Sequence, residues 1–228
     1  MSSRASLYNP PVRVEVGASN AAPSSFKVRQ PPPLLLPILL FCSGGEAMDI
    51  LPMATKRTGA AAVAVPELGA VYVFGGQIQP DPPARGASPA FLSTVEKLEG
   101  TQREPATWRW STLRRTMHWP RSNAAAVYHN GTIYVVGGRM CRPRDSCLLS
   151  SVESFGVLKE THKAVLPPMS VPRYRPKAAV FQATLYVVGG RGELDFLYLA
   201  SGEALDLETM RGTVLPELIP PNRKALAV

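Results

Sequence analysis

The side chains with the most chemical potential in this sequence are four arginines, Arg57, Arg121, Arg173 and Arg223. Each stands just ahead of a run of small residues: Ala60-Ala61-Ala62-Val63, Ala124-Ala125-Ala126-Val127, Ala178-Ala179-Val180 and Ala225-Leu226-Ala227-Val228. A guanidinium stays charged and presents its N–H donors in a planar fork that matches a carboxylate. Two uses compete. Arginines that recur at one place in a repeat can ring an opening and attract an acidic peptide or a carboxylate. Alternatively, each can pair with an acid of its own chain, and three acids recur at matching places: Glu96 in S-T-V-E-K-L, Glu153 in S-S-V-E-S-F and Glu203 in A-S-G-E-A-L-D. The spacing from arginine to small-residue run slips by one at Arg173 and at Arg223, and in a strand a slip of one reverses the face.

A second group of candidate binding residues lies in a basic loop, Arg139 to Cys147, R-M-C-R-P-R-D-S-C, where Arg139, Arg142 and Arg144 form the densest positive cluster, broken by Asp145. The proline-rich stretch Gln77 to Ala90 is its counterpart earlier in the chain. Loops held by a rigid scaffold commonly carry recognition. The three histidines, His118, His129 and His162, fall at unrelated places, so the spacing predicts no metal site. Cys42, Cys141 and Cys147 are odd in number. Cys141 and Cys147 can pair across a loop, but C-x5-C without nearby histidine is no zinc spacing, and reduced thiols are expected. No nucleophile elbow, phosphate-cradling glycine loop or metal-binding helix motif is present, so no cofactor is expected.

The elements that must position these residues repeat at intervals of about 50 residues. Gly69 to Gly76 reads G-A-V-Y-V-F-G-G, Gly131 to Gly138 reads G-T-I-Y-V-V-G-G, and Ala183 to Gly190 reads A-T-L-Y-V-V-G-G. Ahead of each arginine is a linker: Leu51-Pro52-Met53, Leu113 to Met117, Leu166-Pro167-Pro168-Met169, and finally Leu215-Pro216. A strand made mostly of alanine belongs where space is tightest. The Tyr-Val-Val-Gly-Gly strand is apolar on both faces, as expected of a sheet covered from both sides. That makes Tyr72, Tyr134 and Tyr186 packing residues. Gly75, Gly76, Gly137, Gly138, Gly189 and Gly190 are expected to be structural, with positive φ and room for a close neighbour. A third strand carries the repeated glutamate. A fourth is legible only in the first repeat, at Trp108-Arg109-Trp110.

This order resembles the kelch repeat, over roughly Leu51 to Val228. The resemblance implies an all-β, kelch-type β-propeller of four-stranded antiparallel blades, with the alanine strand innermost. The sequence departs from the kelch pattern where Leu98 and Leu205 replace the usual tyrosine, with Phe155 the one aromatic there, and where the distal tryptophan occurs once. An eight-stranded sandwich is the alternative, but it would not require three matching phrases. The blades are placed at 51–113, 114–165 and 166–214, with the start of another at 215–228. Closed propellers have about four to eight blades, so the ring is expected to be incomplete. An open ring exposes apolar faces and predicts self-association, or a sequence that continues further.

Residues 1–50 form an irregular N-terminal segment. It is rich in Ser, Ala and Pro and carries Arg4, Arg13, Lys27 and Arg29 with Glu15 alone before Glu46, a balance shared with organelle-targeting segments. Val12 to Val16 and Phe26 to Val28 alternate like strands, and Leu35 to Gly45 ends in Gly44-Gly45, so a degenerate blade is the competing reading. Over the whole chain the 45% hydrophobic and 18% charged content is that of a folded protein, and the 23 prolines favour short elements. The net charge of +8 is diffuse, with no basic arm, which argues against nucleic acid as a partner. No apolar run reaches the ~20 residues of a membrane span.

The resemblance implies a cytoplasmic, non-catalytic scaffold that binds a protein partner through loops and rim. Nothing resembles the BTB or F-box segments that would link such a module to a ubiquitin ligase. A copper-radical oxidase like galactose oxidase would need histidines and a cysteine-linked tyrosine at the axis, which the spacing does not supply. A sugar-processing enzyme resembling kelch-type sialic acid mutarotases is the enzymatic alternative, since Glu, Arg and His near a channel could serve it. A truncated, non-functional fragment is the third reading.

Overall fold

Each tyrosine phrase forms the second strand of a four-stranded antiparallel sheet. Three such sheets make up the computed structural model over residues 52–79, 89–101, 104–140, 147–193 and 197–216. All of these lie within one compact unit, Ile50–Leu226. The first sheet contains β1 (Ala61–Val65) and β2 (Ala70–Phe74). A two-stranded ribbon, β3 (Gln77–Ile78) with β4 (Ala90–Phe91), interrupts it before β5 (Val95–Thr101) and β6 (Glu104–Thr112) complete it. The second runs β7 (Ala125–His129), β8 (Thr132–Val136), β9 (Val152–Gly156) and β10 (Thr161–Leu166). The third runs β11 (Lys177–Phe181), β12 (Thr184–Val188), β13 (Gly202–Asp206) and β14 (Gly212–Leu215). Strand order follows chain order in all three, so each is an antiparallel meander. One 3-10 turn, Pro66–Leu68, is the helical structure among the described residues.

Alternation explains why the middle strands are apolar throughout. Ile133 and Val135 of β8 join Tyr72, Phe74 and Val95 of the first sheet in one core, while Val136 joins Leu185, Val187 and Leu205 of the third sheet in another. The second sheet is therefore buried from both sides. Its aromatic Phe155 faces the first sheet and meets Phe74 edge-on at 5.5 Å and Tyr72 at 6.1 Å. Such pairs add about 0.5–1.5 kcal/mol each beyond their buried area. The alanine strands are the inner ones: β7 packs against both β1 and β11, and small side chains let three backbones converge there.

One gap in the sequence reading is filled and one expectation is corrected. Outer strands exist in all three blades, as β10 and β14 as well as β6. They escape sequence reading because much of each faces solvent; Val165 and Val214 are exposed, so composition there is weakly constrained. The register slip at Arg173 is also absent. Strands β1, β7 and β11 each begin four residues after the arginine, at Ala61, Ala125 and Lys177. Lys177 simply occupies an alanine position, with Pro176 in the place of Ala60 and Ala124.

The glycine pair is where the next blade lands. Gly75 and Gly137 have φ of 61° and 63°, and a Cβ would lie 2.3 Å from the Arg121 carbonyl oxygen and 2.6 Å from that of Arg173. The second glycine of each pair donates its N–H to the same carbonyl, Gly76 to Arg121 and Gly138 to Arg173, both at 2.8 Å. Gly189 and Gly190 adopt the same left-handed conformation.

Gly131 has φ of 72° but nothing within 4 Å of its Cβ position, so it separates backbone strain from close approach. Gly131→Ala is expected to lose about 1 kcal/mol in urea unfolding, the cost of positive φ alone. Gly137→Ala should lose a further ~1–3 kcal/mol, because the next blade must move away. Equal losses would contradict this account of the glycine pair.

Candidate functional site

The repeated arginines and glutamates build one device three times. Arg121 donates from Nη1 to the carbonyl oxygens of Gly137 (3.0 Å) and Ser151 (3.3 Å), and from Nη2 to Ser151 Oγ (3.0 Å) and to Glu153 Oε1. Glu153 in turn accepts the backbone N–H of His118 (2.7 Å) and Trp119 (3.1 Å). In the first blade Arg57 bonds Gly75 O (2.9 Å), Thr94 O (3.3 Å) and Glu96, which accepts the N–H of Ala54 and Thr55. In the third, Arg173 bonds Gly189 O (3.0 Å), Ser201 O (2.9 Å), Ser201 Oγ (3.0 Å) and Glu203 (3.1 Å), and Glu203 accepts from Ser170 and Val171. Each clamp joins the linker, the start of the inner strand, the glycine end of the second strand and the third strand.

The expectation that Arg57, Arg121 and Arg173 ring an open channel mouth is therefore corrected. Their side chains are fully buried, and their terminal Nη donors are committed to carbonyls, hydroxyls and a carboxylate of their own blade. The competing ion-pair reading describes their geometry. Burial pulls the Arg121 guanidinium below its ordinary value, while Glu153 beside it pulls in the other direction. Burial alone would raise the carboxyl of Glu203, but hydrogen bonds from Ser170, Arg173 and Val171 outweigh it and hold the group below its ordinary range. Arg223, Arg142 and Arg144 lie outside the described residues, as do Cys42 and Cys141.

A different set of cations is accessible at the glycine end of the blades. Arg139 and Arg191 directly follow Gly138 and Gly190, and each pairs with the residue after a clamp arginine, Ser122 and Tyr174 respectively. The Arg139 guanidinium carbon lies 5.2 Å from the Tyr174 ring of the next blade and 6.0 Å from Phe91 on the previous blade's ribbon. Its Nε is buried without a hydrogen-bond partner. Arg175 is exposed, lies 5.2 Å from the same Tyr174 ring and donates to Asn123 Oδ1 at 3.0 Å. Arg191 sits 4.6 Å from the Tyr198 ring and donates to its hydroxyl at 2.7 Å. Among the described residues none of these three arginines is paired with a carboxylate.

The inner edge of this rim is a backbone relay. Gly59, Asn123 and Arg175 stand two residues after their clamp arginines, all with positive φ, and Asn123 N–H donates to Gly59 O while Arg175 N–H donates to Asn123 O. An arginine in the left-handed region costs about 1–2 kcal/mol, so this position is held against local preference. Arg139 was a sequence candidate, whereas Arg175, Arg191 and the aromatic rings were not. The signal that could have found Arg191 is its place immediately after a glycine pair.

The structure also brings together two histidines that their spacing left apart. The rings of His118 and His162 are 6.5 Å apart, and His162 Nε2 lies 3.2 Å from Glu153 Oε2, because the antiparallel meander folds the outer strand back beside the linker. Among the described residues no three His, Cys, Asp or Glu side chains gather as metal ligands do, and no helix is long and apolar enough to cross a membrane.

The lowered carboxyl of Glu203 has a consequence for stability. Its contribution is fully present above the group's ordinary value of about 4.5 and is lost as pH falls through the lower folded-state value. Wild type should exceed Glu203→Gln in stability by a constant margin near neutrality, and the margin should shrink steadily in denaturant titrations below pH 4.5. A margin independent of pH would contradict the assignment.

Known proteins place these features. The Kelch motif matches residues 120–162, which span the second clamp, the glycine pair and the third strand. No curated protein matches the sequence. Among solved structures, the kelch-type propeller YjhT is similar to this chain with a TM-score of 0.55 and 15% identity, over 71% of this chain. The chain spans about half of YjhT, 52% of its length. The fold is that of a kelch-type β-propeller, built on a thrice-repeated Arg–Glu clamp, and residues 120–162 carry a Kelch motif.

Proposed function

We propose that this propeller is a non-catalytic interaction module that captures an acidic segment of a partner protein at the rim carrying Arg139, Arg175 and Arg191. The observation that supports this is the state of those three guanidinia: held against Tyr174, Phe91 and Tyr198, on one edge of neighbouring blades, with no carboxylate of the described chain to neutralise them. An arginine stacked on an aromatic ring keeps its fork oriented and most of its donors available, which favours carboxylates over diffuse counter-ions. The uneven loops after the glycine pairs border this rim and would set selectivity. The sugar-processing alternative needs a free acid and base at the axis. The repeated acids Glu96, Glu153 and Glu203 are instead consumed by the clamps. The setting we favour is the cytoplasm, where thiols stay reduced.

The test is fluorescence anisotropy with a labelled glutamate-rich peptide at low salt. The wild-type protein should bind it, binding should weaken as salt is raised, and the triple change Arg139→Ala, Arg175→Ala, Arg191→Ala should cost at least about tenfold in affinity. Undiminished binding by the folded triple variant, or equal binding of a lysine-rich peptide, would overturn the proposal.

A further inference from the structure

Arg175 is the exposed end of a line of side-chain hydrogen bonds that crosses three blades. Its Nε donates to Asn123 Oδ1 at 3.0 Å. Asn123 Nδ2 donates to Ser122 Oγ at 3.1 Å, and the Ser122 hydroxyl donates to Gln77 Oε1 at 3.3 Å. Arg175 stands ahead of β11 in the third blade, Asn123 and Ser122 stand ahead of β7 in the second, and Gln77 opens β3, the ribbon of the first.

The four groups allow this line one direction only. A guanidinium donates and never accepts, so it must meet the oxygen of the Asn123 amide. That choice turns the amide nitrogen toward Ser122, whose own proton is then left for Gln77. Ser122 is 1% exposed and Gln77 8%, so the far end of the line is fixed in the interior. Asn123 is half-buried and Arg175 exposed. An amide anchored on its buried side thus presents its oxygen at a set place on the rim.

Room for that amide comes from Gly59, where a Cβ would lie 2.7 Å from Asn123 Nδ2 and 3.1 Å from its Cγ. Gly59, Asn123 and Arg175 occupy the same place in successive blades, two residues after a clamp arginine. The side chain there passes from none, to a short amide, to a long cation, and each leans toward the blade before it.

The consequence for Arg175 is orientation. Its Nε is held by Asn123 and its guanidinium carbon is 5.2 Å from the Tyr174 ring. One bond and one ring fix the plane of the fork. Among the described residues no ion pair occupies its two Nη groups. Two parallel N–H groups presented end-on match the two oxygens of a carboxylate. Arg191 is less available, because its Nη2 donates to the Tyr198 hydroxyl.

We propose that Asn123 is the positioning residue of the rim: its amide, set by Ser122 and Gln77, holds the Arg175 fork for end-on, two-pronged capture of a carboxylate. This rests on the reading of the rim as a site for acidic segments. Asn123 acts through Arg175, by sparing a long side chain the loss of freedom that binding would otherwise impose.

The experiment pairs heteronuclear NMR of the arginine Nε–H groups with anisotropy titration of the labelled glutamate-rich peptide. The central variant is Asn123→Gly, which keeps the left-handed backbone that Gly59 adopts at the same place and removes only the amide. In the wild type the Arg175 Nε–H, identified by its absence from Arg175→Ala, should exchange about tenfold more slowly than that of exposed Arg114. Asn123→Gly should abolish this protection and weaken peptide binding about three- to tenfold, with Tm unchanged or higher. Ser122→Ala should reproduce part of both effects, although Ser122 does not touch the guanidinium. Asn123→Asp should weaken binding most, since it lays a carboxylate of the chain itself on Arg175. Peptide binding that is lost in the triple arginine variant but untouched in Asn123→Gly overturns the role of Asn123 alone. An Arg175 Nε–H that exchanges freely in the wild type, or stays protected in Asn123→Gly, overturns it too. A folded wild type that binds no peptide overturns the acidic-segment reading and this role together. The wild-type exchange rate and Ser122→Ala decide the matter even if Asn123→Gly fails to fold.

Discussion

A guanidinium and a carboxylate with no solvent around them are stable together only if almost every donor and lone pair is used, since the cost of desolvating either charge alone is several kcal/mol. Arg121 and Glu153 meet that condition with two carbonyls, a hydroxyl and two backbone N–H groups besides each other. Arg173 repeats the full set, and Arg57 repeats it without the hydroxyl. Because the bonds come from four separate chain segments, the pair can be satisfied only when linker, inner strand, glycine turn and third strand are all in place. The clamp thereby converts four short, individually weak elements into one blade. Its specificity comes with a vulnerability: removing one partner strands the other as a buried charge.

Stacking follows from the same residue. The carbonyl of the clamp arginine in one blade is the acceptor for the glycine pair of the blade before it. The arginine thus organises its own sheet with its side chain and the preceding sheet with its backbone. Two residues later the chain takes the left-handed turn that links Gly59, Asn123 and Arg175 along the inner rim. The accessible arginines of the candidate site are therefore displayed at fixed offsets from buried ones, and the rigidity of the clamps is what holds them in place.

Much of this was legible in the sequence because the constraints are local and repeated. The glycine pairs, the alanine strands and the glutamates mark positions where few residue types fit, and each occurs three times. What escaped reading was set by long-range geometry or by solvent. The outer strands β10 and β14 carry no compositional mark. The spacing at Arg173 looked slipped because Lys177 and Pro176 replace alanines without moving the strand. The choice between an arginine ring and arginine clamps could not be made from spacing, since it depends on whether the side chain points along the blade or out of it. Arg175 and Arg191 were overlooked because their importance comes from Tyr174 and Tyr198, which only the fold brings beside them.

The central claim is that the buried carboxylates hold the linkers as firmly as the strands. Native-state hydrogen exchange at the linker amides bound to Glu153 and Glu203 tests it most directly. His118, Trp119, Ser170 and Val171 lie outside any strand, yet their N–H groups, each donated to one of these buried carboxylates, should exchange as slowly as those of β8 and β12 and open only with global unfolding. Fast, loop-like exchange at those amides while β8 and β12 remain protected would contradict the account.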